Sequence, residues 1–190
     1  KIMKLIEIYN SQKVKYNRLV LLVFMSLAII FGFRYLIFNL TNKINYYKKV
    51  NLYFSDYTYS KLYLEERKIK KIYPEEDKTN YIRYTLNLLI QGPIQNNLRA
   101  LLSINTKLRS VWYVSETREL HVNFSKELIT DINSNIKNDL ILIYSITYCI
   151  FNSFPEVDKI RIYLENEPLK TITGRYDLNH FYNRNNVKNY

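Results

Sequence analysis

Residues 19–38, LVLLVFMSLAIIFGFRYLIF, form an apolar run broken only by Arg34. At about 1.5 Å per residue, a helix of this length covers about 30 Å, the thickness of a bilayer's hydrocarbon core. Arg34 lies one turn from the far end, where a long basic side chain reaches the headgroups, and Lys13, Lys15 and Arg18 guard the near end. The competing readings are a buried soluble helix and a cleaved signal peptide. Ser26-Leu27-Ala28 loosely fits a cleavage motif, but the apolar residues continue past it and outrun an ordinary signal core. No lipobox cysteine is present. The expectation is therefore an uncleaved transmembrane anchor, represented by Leu19, Phe24, Ala28, Gly32, Arg34 and Phe38, with the lipid bilayer as its first partner. The Ala28-xxx-Gly32 spacing suits close packing of two such helices.

A net charge of +11 invites a nucleic-acid reading, but its distribution argues otherwise. Residues 1–18 hold five basic residues and one acid, and residues 42–73 hold eight and three. From Pro74 onward fourteen basic residues nearly balance thirteen acids. Basicity that flanks an apolar span suits anionic headgroups, so no nucleic-acid partner is expected. Because basic residues lie on both sides of the span, the positive-inside rule barely orients it. The few glycines and prolines, and the abundance of Tyr, Asn, Ile and Lys, read as the bias of an AT-rich genome.

The domain organisation expected is a basic cytoplasmic tail (1–18), the anchor (19–38), a polar linker (39–49), a folded head (50–182) and a loose tail (183–190). Within the head, 50–55 alternates as a strand, and 62–72 is a charged, edge-like extended stretch. Pro74 with Glu75, Glu76 and Asp77 signals a helix start. That helix carries the stripe Tyr81, Ile82, Thr85, Leu86, Leu89 and Ile90 and stops at Gly92-Pro93. Strands follow over 108–115 and 119–124, with Leu120, Val122 and Phe124 on one face. Ser125 reads as the N-cap of a short helical turn. A long helix over 135–154 presents Ile136, Leu140, Ile143, Tyr144, Thr147, Ile150, Phe151 and Phe154. A strand at 160–164, a turn at 165–168 and a returning segment at 169–173 complete it. This order predicts an α+β fold in which two amphipathic helices pack on one face of a mixed or antiparallel sheet.

The ordered series of these segments resembles the GerM-type sporulation and germination domain, GerMN. It runs through Val50–Asp56, Leu62-Tyr63-Leu64-Glu65-Glu66-Arg67, Leu88-Leu89-Ile90-Gln91-Gly92-Pro93 and Leu108-Arg109-Ser110-Val111. It continues through Val122-Asn123-Phe124-Ser125, Ser145-Ile146, Phe154-Pro155-Glu156-Val157 and Leu169-Lys170-Thr171-Ile172-Thr173-Gly174. The resemblance covers about residues 50–182. It implies a compact head outside the cytoplasm, similar to ring-building modules, and so an orientation with the N-terminus inside. Asn123 stands where the family usually has aspartate, and Glu167 where a turn glycine is usual.

Signs of catalysis are sparse. His121 lies on the strand side opposite Leu120 and Val122, and His180 lies near the end; two histidines without a cysteine cluster offer no zinc site. The lone Cys149 sits in an apolar helical pattern as a core residue. Glu75-Glu76-Asp77 is explained by helix initiation, and Glu165 and Glu167 by a solvated turn. There is no nucleophile elbow, phosphate loop or dinucleotide fingerprint, so no enzyme, cofactor, metal or small-molecule substrate is expected. The oddity is nineteen tyrosines. Those near the anchor suit a wet interface, and Tyr57, Tyr59, Tyr63 and Tyr176 are the candidate interaction residues. The expected function is a membrane-anchored assembly protein of the bacterial envelope, contacting copies of itself or other envelope proteins. The alternative is a module that binds cell-wall glycan or peptide.

Overall fold

A computed structural model describes residues 2–44, 47–71, 77–131 and 139–187. It divides into two units, Lys1–Tyr47 and Lys48–Tyr190.

The first unit is essentially one helix, α1 (Ile2–Ile44). It runs past the apolar stretch into the segment expected as a polar linker, because no proline or glycine interrupts residues 33–44. Its segment Lys15–Leu40, with a mean hydropathy of 2.3, is long and apolar enough to cross a membrane, and none of that window is buried by protein. Ser26, the hydroxyl in its midst, donates to the Val23 carbonyl at 2.8 Å and so satisfies itself within the helix.

The second unit is mixed α+β. Strands β1 (Tyr47–Ser55) and β2 (Leu62–Lys70) form a two-stranded sheet joined by the turn at 56–61. Asp56 builds that turn. Its carboxylate accepts the Ser60 N–H at 3.0 Å and the Thr58 hydroxyl at 2.8 Å, bonds that hold its pKa down at about 2. Val50, Leu52 and Phe54 alternate into the core from β1.

Helix α2 (Lys78–Gln91) starts at Asp77, whose side chain accepts the Asn80 N–H at 3.2 Å. The other members of the expected start signal, residues 74–76, lie outside the described residues. The buried face of α2 is Tyr81, Ile82, Thr85, Leu86, Leu89 and Ile90, the stripe read from spacing. Gly92 ends the helix with φ 91° and ψ −179°, a region open essentially to glycine alone.

Strands β3 (Leu108–Val114) and β4 (Glu119–Phe124) pair antiparallel, with a register shift between Leu108 and Ser110. After the short helix α3 (Glu127–Thr130), helix α4 (Asp139–Ser153) carries the chain over to β5 (Lys159–Leu164). Strand β5 runs parallel to β4, matching Leu120 with Ile160 and Val122 with Ile162. The short strands β6 (Glu167–Pro168) and β7 (Tyr182–Asn183) both pair antiparallel with β5, and α5 (Arg184–Val187) closes the described chain. The head thus has two sheets where one was expected: β1–β2, and a five-stranded mixed sheet containing one βαβ crossover.

Two local expectations change. Ser125 does not cap α3 through its side chain; its hydroxyl accepts the Lys107 N–H at 2.9 Å, while its carbonyl accepts from Leu128. Helix α4 is not simply amphipathic. Leu142, Ile143, Ser145, Ile146, Thr147, Cys149 and Ile150 are all fully buried around its circumference, with β1, α2 and α5 lying along it. What remains half-exposed is the row Leu140, Tyr144 and Tyr148, spaced one turn apart. Ile136, expected on this helix, lies outside the described residues.

Candidate functional site

The chemistry of the head concentrates where β1 meets α4. An antiparallel strand alternates its outward-facing backbone groups, and those of β1 would make an adhesive edge if left bare. Here Ser153 accepts the Asn51 N–H at 2.8 Å and donates to the Asn51 carbonyl at 3.3 Å. Ser145 donates to the Tyr53 carbonyl at 2.6 Å, and Arg99 exchanges backbone bonds with Ser55 at 3.0 and 2.8 Å. Ser145, Cys149 and Ser153 repeat every fourth residue, so one side of α4 is a row of small side chains that admits the strand backbone.

Beside this seam lies a groove of about 610 Å³. Its aromatic wall is Tyr53, Tyr148 and Tyr144. The Tyr53 and Tyr148 rings meet edge-on at 5.4 Å, and Tyr144 stacks on Tyr148 at 5.9 Å. Asn152 donates to the Tyr53 hydroxyl at 3.0 Å, and burial raises the pKa of that phenol, with Cys149 and Tyr148 adding to it. Leu62, Ile141 and Val187 supply aliphatic surface, and Lys61 stands at the turn between β1 and β2. Arg184 forms the remaining wall. Its guanidinium donates to the carbonyls of Phe151 at 2.6 Å, Phe154 at 2.8 Å and Val157 at 3.1 Å. It thereby caps the negative end of α4 while its charge lies 5.0 Å from the centre of the Phe151 ring.

The opposite side of the mixed sheet carries a second aromatic cluster. Trp112 is 41% exposed and stacks flat on His121, with centroids 4.8 Å apart. The Tyr163 hydroxyl lies 3.1 Å from His121 Nδ1, and Phe181 meets the imidazole edge-on at 5.7 Å. Burial depresses the His121 pKa; Glu119 opposes that shift and Arg161 adds to it. His180 belongs elsewhere, against Tyr182 at 4.6 Å. The two histidines therefore sit in separate aromatic contacts. Cys149 is wholly enclosed, and burial pushes its thiol far above the ordinary range. No cluster of metal-binding side chains occurs among the described residues.

A third feature joins two of the sequence segments. Glu65 of β2 is 4% exposed, yet its carboxylate accepts N–H bonds from Ile94 and Gln95, both at 3.1 Å, and Arg67 Nε at 2.7 Å. Arg67 in turn donates to the Gly92 carbonyl at 2.6 Å. Burial would raise the Glu65 pKa, but these donors outweigh it and hold the carboxyl below its usual range. At the far end of β4, Asn123 and Asn166 pair reciprocally, through Asn123 Nδ2 to Asn166 Oδ1 at 2.6 Å and the Asn166 N–H to Asn123 Oδ1 at 3.1 Å. The left-handed residues of that turn are Glu165 and Asn166, so Glu167 sits where no glycine is needed. Glu165 pairs with Arg109 and accepts the Lys126 N–H at 2.9 Å.

The four candidate tyrosines are dispersed. Tyr57 is 58% exposed, donates to the Asn96 carbonyl at 3.0 Å and lies under the Arg99 guanidinium at 3.9 Å. Tyr59, in left-handed backbone, packs against the core from the same turn. Tyr63 is exposed on β2, and Tyr176 is exposed on the loop before β7. None of the four lines the groove; Tyr53, Tyr144 and Tyr148 do. A pair of tyrosines one turn apart on α4 was the available signal, and the same spacing also marks a core stripe. Of the expected anchor residues, Phe24 and Phe38 are exposed on α1, as are Ala28, Gly32 and Arg34.

Comparison with known proteins places this geometry. The family described as Germane, sporulation and spore germination, matches residues 51–170. The tandem GerMN domains of the sporulation protein GerM from Bacillus subtilis align over 74% of this chain and 47% of theirs, at 16% identity and a TM-score of 0.53. A candidate lipoprotein from Clostridium perfringens aligns over 74% of this chain and 89% of its own, at 24% identity and a TM-score of 0.45. The first GerMN domain of the same Bacillus subtilis protein covers 66% of this chain and 89% of its own length, at 17% identity and a TM-score of 0.46. No curated protein matches.

Proposed function

The chain belongs to the Germane family of sporulation and spore germination domains, and from that premise we propose that it is a membrane-anchored assembly protein of the bacterial envelope. The reading is carried by one observation: the family domain directly follows a helix whose Lys15–Leu40 segment is apolar, long enough to span a bilayer and uncovered by protein. Soluble proteins rarely expose an apolar patch of more than a few hundred Å². Lipid is the covering this helix would need. With the N-terminus in the cytoplasm and the head outside, the head makes protein contacts with copies of itself or with other envelope proteins, without catalysis. Tethering raises local concentration, so weak contacts suffice.

The test is in-cell crosslinking of the full-length chain, combined with alkaline washing of membranes and protease treatment of spheroplasts. The expected result is an alkali-resistant protein whose head is cleaved from outside and crosslinks to itself or to defined envelope chains. A head that stays solitary, or a chain stripped by alkali, refutes the proposal. The alternative, a module for cell-wall glycan or peptide, draws support from the tyrosine wall of the groove; it predicts retention on purified wall material that is lost with Tyr148→Ala.

A further inference from the structure

We propose that the groove between β1, α4 and α5 is the docking site for an extended segment of a partner protein that carries a large apolar side chain beside a carboxylate. This deepens the assembly reading and rests on it.

The volume, about 610 Å³, falls within the range of built ligand sites, about 300–1,000 Å³. It accommodates one or two side chains, not a globular surface. The lining is mainly rings and aliphatic groups: Tyr53, Tyr144, Tyr148, Leu62, Ile141 and Val187. Tyrosine walls of this kind give large contact area at small entropic cost and typify protein interfaces.

Charge selects among apolar occupants. Two lining residues are cationic, Lys61 and Arg184, and no Asp or Glu is among the described residues that line the groove. Arg184 is committed to the carbonyls that end α4 and lies 3.6 Å from the Asp158 carboxylate, so it contributes shape and the free charge is that of Lys61. Lys61 is exposed, and its ammonium makes no ion pair with a described residue. It is placed to receive a carboxylate in a charge-assisted bond. The described lining suits a side chain better than a saccharide. Sugar hydroxyls need a dense set of planar acceptors and donors, and here only Asn152, Ser60 and Lys61 are polar and non-aromatic besides Arg184. Ser60 is already bound to Asp56 and Thr58, at 3.1 and 2.7 Å. An acidic, apolar peptide uses what the groove offers.

The experiment is selection of a random-peptide phage library on the full-length protein in lipid nanodiscs, followed by binding measurements on the enriched peptides. Enriched peptides should pair Phe, Leu or Trp with Asp or Glu. Lys61→Glu should weaken them by at least about tenfold, as expected when one charge of an interfacial pair is reversed. Lys61→Arg should retain binding, and neither exposed change should alter the unfolding midpoint. Enrichment without acidic residues, indifference to Lys61→Glu, or no enrichment at all overturns the proposal. Displacement of the peptides by purified wall glycan strands overturns it in favour of a saccharide site. Crosslinks that persist in Lys61→Glu cells would refute the groove while leaving the assembly reading intact; their disappearance supports both.

Discussion

The Ser145 hydroxyl donates a 2.6 Å hydrogen bond to the Tyr53 carbonyl across 92 residues of chain. It is the middle of three attachments that close the outer edge of β1, with Ser153 at Asn51 and Arg99 at Ser55. A strand edge is otherwise a template for another strand, and these attachments occupy the backbone groups of β1 that such a strand would use.

Ser145→Ala should leave the part-buried Tyr53 carbonyl without this donor, at a cost of about 1 kcal/mol. Ser145→Val adds bulk where β1 approaches α4, and overpacking costs a further increment of about 1–3 kcal/mol. Trp112 is the one tryptophan in the chain, so its fluorescence during urea unfolding of the full-length protein reads both. Equal midpoints for wild type and Ser145→Ala would show that the seam is not a stabilising contact.

Glu65 predicts an acid dependence. Its folded pKa lies below the unfolded value near 4.5, so the stability it contributes is complete above that value and is lost as pH falls through the folded pKa. Asp56 acts in the same direction at lower pH, between 3.8 and about 2. Glu65→Gln should destabilise the head at neutral pH by about 1–3 kcal/mol, since three donors lose their charged acceptor. It should also flatten the decline of the unfolding midpoint below pH 4.5. A variant that declines in parallel with wild type would remove Glu65 as the source.

The elements legible in the sequence are those determined by near neighbours. The buried face of α2 and its start at Asp77 follow from local spacing and a local side-chain cap. The alternation of Leu120, Val122 and Phe124 on β4 is equally local, and all three are fully buried. What was hidden depends on meetings between distant segments. The periodicity of helix α4 reads as amphipathic because it does not reveal β1 lying along Ser145 and Ser153. Spacing alone puts Tyr144 in a buried stripe, yet it is half-exposed for the same reason: covering one side of α4 leaves another bare. Tyr57, Tyr63 and Tyr176 are exposed, but exposure alone does not gather rings into a site. Two separate motif segments, Glu65–Arg67 and Gly92-Pro93, turn out to be one structural unit through the Arg67 bond to the Gly92 carbonyl.

That unit makes Gly92 a sensitive position. With φ 91° and ψ −179° its backbone is disfavoured for any L side chain, whereas an added Cβ would meet only Ala100 Cβ at 3.4 Å. Strain, not collision, is then the cost of Gly92→Ala, about 1–3 kcal/mol. Ala100→Gly in the same chain should fail to restore the urea midpoint. Full rescue by Ala100→Gly would reverse the assignment from backbone to contact.

Arg184 separates structure from recognition at the groove. Its planar fork reaches three carbonyls at the end of α4, at 2.6, 2.8 and 3.1 Å, a geometry that a lysine ammonium cannot reproduce. Arg184→Lys should therefore cost about 1–3 kcal/mol despite conserving charge, through partly unpaired carbonyls. Lys61→Glu reverses a charge on the exposed turn and should leave the unfolding midpoint within about 0.5 kcal/mol of wild type. The two variants thus divide the cationic residues of one groove, the first lowering stability and the second lowering only the capture of acidic peptides. Urea midpoints and peptide binding, measured side by side on both, decide it: a Lys61→Glu chain that unfolds early, or an Arg184→Lys chain as stable as wild type, contradicts the division.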